Sequence, residues 1–218
     1  MVALRKCVVV LSGGPDSVTA AYWAKERGYE VHSITFNYGQ KAQIEIQRAA
    51  EITRRLGIDS KVVDFRNLDE IYRGVTSLVD ESMPVTGEFT EEIIVPFRNG
   101  IFLSVAVAYA DGLGADAILY GAHASDEPFY PDCRREFYEA FEAAARLGTE
   151  KAISIFSPFS DVPKSGVIKE AARLRVPLDR TWSCYLNGPR HCGVCESCRN
   201  RKKAFSESGV SDPTDYAQ

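Results

Sequence analysis

Lys6-Cys7-Val8-Val9-Val10-Leu11-Ser12-Gly13-Gly14-Pro15-Asp16-Ser17 decides the fold of this chain. The first six residues are an apolar, β-branched run with no polar alternation, the pattern of a strand buried on both faces of a parallel sheet. Ser-Gly-Gly-Pro ends the run, and a helix is expected from about Ser17 to Arg27, stopped by Gly28. A strand, a glycine turn and a helix N-terminus in succession gather several backbone N–H groups at one point, which makes an anion site by geometry alone. No Gly-Lys-Ser/Thr follows, so the turn is not a Walker loop, and the spacing is not Gly-x-Gly-x-x-Gly either.

Outward from this stretch the strand and helix signals alternate. Residues 30–36 read as a second strand. After the Asn37-Tyr38-Gly39-Gln40 turn, Ala49, Ile52 and Leu56 recur at helical spacing, with Gly57 where a cap belongs. Residues 60–65 read as strand three. Residues 66–92, richer in acids and turn formers, break the rhythm and are expected to be an insertion or lid. Residues 99–113 are apolar almost all round, which marks a buried helix. A fourth strand is expected at 116–121, a helix at 134–147, a fifth strand at 152–156 and a further helix at 164–174. Short alternating connections imply right-handed crossovers, hence an α/β, doubly wound parallel sheet whose ligand sits beyond the carboxyl ends of the strands. A main domain is expected over residues 1–178 and a small C-terminal appendage over 179–218.

Bulk properties narrow the function. The chain has 218 residues, 45% of them hydrophobic, enough for one full core. Its net charge of −4 gives no basic footprint, so general nucleic-acid binding is disfavoured. The start, Met1 to Lys6, leads into an apolar run too short for a signal core or a membrane span, and a cytoplasmic protein is expected.

Cys184, Cys192, Cys195 and Cys198 crowd four of the six cysteines into fifteen positions. Two tight chelating spacings suit a tetrahedral metal, and four thiolates leave no open coordination position, so the centre is expected to be structural. Spacing alone leaves an iron–sulfur cluster as the rival to zinc. Cys7, inside strand one, reads as core packing. Cys133 fits either packing or the lining of a site.

The Ser-Gly-Gly-x-Asp-Ser turn resembles the PP-loop of the adenylating ATP pyrophosphatases, of the HUP-type fold. That resemblance makes Ser12, Gly13, Gly14, Asp16 and Ser17 the phosphate and metal contacts. The loop, Asn37-Tyr38-Gly39-Gln40-Lys41, Val95-Pro96-Phe97-Arg98-Asn99, Tyr130-Pro131-Asp132-Cys133-Arg134 and Trp182-Ser183-Cys184-Tyr185 with its cysteine tail together resemble the 7-cyano-7-deazaguanine synthase family, from the first strand to the tail. The resemblance implies ATP-dependent activation of 7-carboxy-7-deazaguanine, amide formation with ammonia, dehydration to the nitrile in the queuosine precursor pathway, a structural zinc and a homodimer.

Adenylation needs positive charge at the α-phosphate, for which Lys41 and Lys164 are candidates beside Asp16, together with Mg²⁺. Asp132 is the candidate reader of the guanine-like edge. Arg98, Asn99 and Arg134 are candidates to clamp the substrate carboxylate or a phosphate. Each has a plainer alternative: Arg98-Asn99 could cap the buried helix, Asp132 could cap the next one, and Lys164 could be a solvated helix-start lysine. His123, just past a strand end, reads as a hydrogen-bonded loop residue outside the catalytic set.

Three positions depart from the family pattern. Asp126-Glu127-Pro128-Phe129 stands where Asp-Phe/Tyr-Ser-Gly is usual, Lys164-Ser165-Gly166 where Lys-Ala-Glu is usual, and Pro15 fills the variable loop position. The first two lie on the acceptor side. They leave open a second chemistry, in which the activated carboxylate passes to another amine such as a protein N-terminus, as in relatives associated with antiphage defence. A zinc-stapled nucleotide-binding module without turnover is the non-enzymatic alternative.

Overall fold

The computed structural model describes residues 5–149 and 151–218; Met1 to Leu4, part of the start that leads into the first apolar run, lie outside the described residues. Five strands, β1 (Lys6–Val10), β2 (Glu30–Asn37), β3 (Asp59–Asp64), β4 (Ala117–Leu119) and β5 (Ser154–Phe156), form one parallel sheet in the order β3-β2-β1-β4-β5. The helices are α1 (Pro15–Glu26), α2 (Ile44–Leu56), the single turn α3 (Asp69–Tyr72), α4 (Arg98–Leu113), α5 (Arg135–Thr149), α6 (Lys164–Arg173) and α7 (Glu196–Ser208).

The pleat of β1 explains why its run is apolar throughout. Val8 faces one core with Ile34, Phe102, Leu103 and Ile118, while Cys7 and Val9 face the other with Val18, Ile52, Val167 and Phe205. Side chains two apart share a face, so a strand covered on both sides needs apolar residues at every position. Cys7 is fully buried, and burial pushes its thiol up to about 12, which fits a packing role. The stretch Glu91–Leu113 is long and apolar enough to cross a membrane, with a mean hydropathy of 1.6; in this fold its Phe102, Leu103, Ala106 and Ala110 are buried in the core instead.

Three expectations need correction. α1 begins at Pro15, two residues earlier than expected, because proline lacks only an N–H that the first turn leaves unbonded and its φ already suits a helix. Asp16 therefore sits in the first turn. Residues 66–92 are more than a lid, since Tyr72, Leu78 and Val79 are buried in the main core. The C-terminal segment contains α7, whose Ala204 and Phe205 join the core formed by α1 and α6.

The order of growth reverses between β1 and β4, because one βα unit runs outward to β2 and the other to β5. The crevice at such a reversal, beyond the carboxyl ends of the strands, is where open α/β sheets bind ligands.

Candidate active site

A cavity of about 260 Å³ opens at that reversal. The turn after β1 forms its floor. Gly13 adopts φ +85°, and a Cβ there would stand 2.5 Å from the Glu45 carbonyl oxygen, so the chain passes α2 as closely as glycine alone allows. Gly121, after β4, is equally constrained, since its Cβ would lie 2.7 Å from the Ser17 amide nitrogen. Ser12 and Ser17 brace the turn from within. Their hydroxyls are 3.0 Å apart, and the Ser17 hydroxyl accepts from the Ser12 N–H at 3.1 Å.

Asp16 and Lys164, 148 positions apart, meet beside this turn at 2.7 Å. Burial alone would raise the Asp16 carboxyl, but the adjacent ammonium outweighs it and holds the group below the usual carboxylate range. Lys164 is correspondingly raised: burial works against its charge, and Asp16 and Asp126 overcome it. The second Asp16 oxygen, Oδ1, is buried with no hydrogen-bond partner. An open hard oxygen beside a phosphate-sized anion site fits a divalent cation.

His123 belongs to this cluster, contrary to the expectation that kept it aside. Its Nε2 lies 3.3 Å from the Lys164 ammonium and 3.8 Å from Asp16, and its Nδ1 lies 3.3 Å from Asp126. Burial, followed by the charge of Lys164, pushes the ring's pKa down, so a neutral imidazole can accept a hydrogen bond from the Lys164 ammonium through Nε2. Asp126, raised by burial, accepts the His123 backbone N–H at 3.1 Å. The signal that could have found the pair is Asp126 three residues after a histidine at a strand's carboxyl end.

The other candidates divide. Arg98 and Asn99 line the cavity, with Arg98 donating to the Tyr38 hydroxyl at 3.4 Å. Lys41 is turned away, its ammonium donating to the Met83 carbonyl at 2.7 Å. Asp132 accepts the Asn99 backbone N–H at 2.9 Å, so it caps α4 rather than the following helix. Arg134 donates to the Glu127 carbonyl and does not line the cavity. Glu45, which the sequence did not single out, does line it, and burial pushes its carboxyl up to about 7. Cys133 lines it as well, accepting from the Asn99 amide at 3.3 Å.

Cys184, Cys192, Cys195 and Cys198 converge, all four sulfurs lying within 4.8 Å of one another. Tetrahedral Zn–S bonds of about 2.3 Å place sulfurs about 3.8 Å apart. The Cys192–Cys198 and Cys184–Cys195 separations are both 3.9 Å. Backbone N–H groups of Leu186 and Cys192 also point at the Cys184 sulfur, each at 3.4 Å, as thiolate ligands require.

Comparison with known proteins agrees with this architecture. The sequence profile described as "Queuosine biosynthesis protein QueC" matches residues 6–209. The chain is 40% identical to a protein of Caldicellulosiruptor bescii named 7-cyano-7-deazaguanine synthase, over 97% of both chains. It is 42% identical to a protein of the same name from Thermoplasma acidophilum, over 97% of this chain and 92% of the other. Among solved structures, NMN synthetase from Francisella tularensis superposes with a TM-score of 0.53 at 16% identity, over 96% of this chain and 79% of that one, a likeness of fold alone. A profile match spanning nearly every described element and relatives of similar length together place this chain in the QueC family of queuosine biosynthesis proteins.

Proposed function

We propose that the protein is an ATP-dependent carbon–nitrogen ligase that adenylates 7-carboxy-7-deazaguanine, converts it to the amide with ammonia and dehydrates the amide to 7-cyano-7-deazaguanine. The observation that carries this is the Asp16–Lys164 pair set on the glycine turn at the cavity floor, in a chain whose relatives bear the synthase name. A substrate carboxylate oxygen attacks the α-phosphorus of ATP and pyrophosphate leaves. Ammonia then adds to the acyl carbon, AMP departs and a proton is released. The amide oxygen then attacks the α-phosphorus of a second ATP, pyrophosphate leaves, and departure of AMP with that oxygen, together with loss of both N–H protons, gives the nitrile.

Each step needs charge neutralised without water. Backbone N–H groups of the turn and the α1 N-terminus would hold the departing pyrophosphate. Lys164, oriented by Asp16 and His123, would face the α-phosphate. Arg98 would meet the substrate carboxylate, and Asp126 could receive the proton shed by the incoming ammonium. Asp16 would hold Mg²⁺, which supplies charge compensation between phosphates. The four cysteines would hold zinc, closed to substrate by their number.

One observation favours the second chemistry. Phe129, 46% exposed, pairs with Phe89 at 4.6 Å on the loop that carries Asp126 and Tyr130, giving an apolar rim where an amine larger than ammonia could dock. Incubation with 7-carboxy-7-deazaguanine, ATP, Mg²⁺ and ammonium, followed by mass spectrometry, separates the outcomes. A nitrile product bears out the first route. An amide that accumulates, or an adduct on a protein amine, bears out the second, and absence of ATP consumption refutes both.

A further inference from the structure

Arg201 is the one fully buried cation among the described residues, with 0% of its surface exposed. It stands on α7 one turn after Cys198 and donates into three separate segments. Its Nε reaches the Thr214 hydroxyl at 2.7 Å, and its Nη2 reaches the Leu178 carbonyl at 2.8 Å. Its Nη1 bonds both the Thr181 hydroxyl at 2.9 Å and the Ser183 hydroxyl at 3.0 Å. The nearest carboxylate, Asp212, is 3.8 Å away. A buried guanidinium is costly even with that carboxylate at its edge, and a fold retains one only when nearly every donor is satisfied.

The geometry shows what those bonds hold. Thr181 and Ser183 flank Trp182, so one guanidinium nitrogen grips the chain on both sides of the indole. The Trp182 backbone N–H donates to the Gly13 carbonyl at 2.9 Å. Gly13 is already pressed against α2 on its other side, so the phosphate turn is held between α2 and residue 182. The Trp182 ring packs with Cys184, Cys195 and Cys198, its Nε1 donates to the Cys184 carbonyl at 2.8 Å, and its ring centroid lies 4.1 Å from that of His191. His191 in turn accepts the Ser183 N–H at 3.0 Å. The indole N–H and the packed His191 thus tie Trp182 to the cysteine segment, in a cluster that also takes in Ala42.

We propose that Arg201 is a positioning residue for the phosphate turn: by clamping Thr181 and Ser183 it sets the Trp182 N–H against Gly13 and so couples the four-cysteine centre to polyphosphate binding. This rests on the nucleotide reading of the turn and goes beyond it, because the cysteine segment becomes a determinant of ATP affinity as well as of folding. Coupling between two binding sites is reciprocal, so nucleotide must tighten metal binding by the same factor as metal tightens nucleotide binding.

The test compares full-length wild type, Arg201→Met, Arg201→Lys and the double variant Thr181→Val, Ser183→Ala. Zinc content, KM for ATP and kcat are measured for each. We expect the Met and double variants to retain zinc and to raise the KM for ATP by about tenfold, a typical size for coupling between sites, with a smaller change in kcat and partial recovery in the Lys variant. A merely structural role would lower kcat through a smaller folded fraction and leave KM unchanged, which overturns the proposal. Should the variants not fold, wild type decides: zinc affinity is measured at equilibrium by competition with a chromogenic chelator, with and without a non-hydrolysable ATP analogue. Tighter zinc with the analogue supports the coupling, and equal affinity overturns it, as does a folded protein that carries no metal. Absence of any ATP turnover in wild type sinks the functional reading itself, whereas normal turnover with an unmoved KM sinks only the clamp.

Discussion

The phosphate turn and the cysteine segment both gather groups that favour an ion, yet they finish the arrangement differently. At the turn, Asp16 spends one oxygen on Lys164 and leaves Oδ1 without a partner, and the surrounding cavity admits ligand. In the cysteine segment four sulfurs face one another, three of the four residues are buried, and backbone N–H groups occupy the outer positions of Cys184. An open valence suits a group that must change partners during a reaction. A closed one suits a group that only has to stay.

The difference predicts effects of unequal kind and size. The largest is expected for Cys195→Ser, which removes one ligand from a closed set. Zinc content and thermal stability should fall together, by about 4 kcal/mol or on the order of 10 °C in Tm. A zinc-free variant that stays stable and active would show that the segment does not need its metal. Next comes Asp16→Ala. Here kcat/KM should drop by about two to three orders of magnitude while zinc content holds and Tm falls less than for Cys195→Ser, by the cost of leaving the Lys164 ammonium unpaired. Normal turnover by this variant would erase the contrast between the two regions.

The smallest effect is expected from Glu45→Gln, and it depends on pH. In the folded chain burial raises the Glu45 carboxyl from 4.5 to about 7, so between those values the unfolded state is ionised and the folded state is not. Wild-type stability from this group thus declines as pH rises through that window and is lowest above pH 7. Glutamine removes the penalty. The variant should melt higher than wild type at pH 8, and the two curves should merge below about pH 4.5. A gap that is constant with pH would mean that the carboxyl is not held neutral by its surroundings.

Most of the sheet was legible because its signals are local. The apolar run of β1 and the left-handed Gly57 that ends α2 each act within a few residues. The cysteine cluster was legible for the same reason, since chelating spacings are short. The candidates that came to rest elsewhere were those whose role depends on distant partners. Lys41 meets Met83, and Asp132 meets the start of α4, pairings that no window of sequence contains. His123 looked like an ordinary loop residue until the fold carried Lys164 and Asp16 to it from opposite ends of the chain.

The strand, glycine turn and helix N-terminus were therefore within reach of the sequence alone, because adjacent residues dictate that backbone geometry. So was the four-sulfur donor set, because ligand type and spacing are local properties. Only the tertiary structure decided which cation faces Asp16, that Glu45 lines the cavity while Asp132 and Arg134 do not, and that Arg201 ties the cysteine segment to Gly13. Those pairings join distant residues, Asp16 to Lys164 across 148 positions and Gly13 to Trp182 across still more, and the crossover topology and packing of the sheet bring them within hydrogen-bond distance.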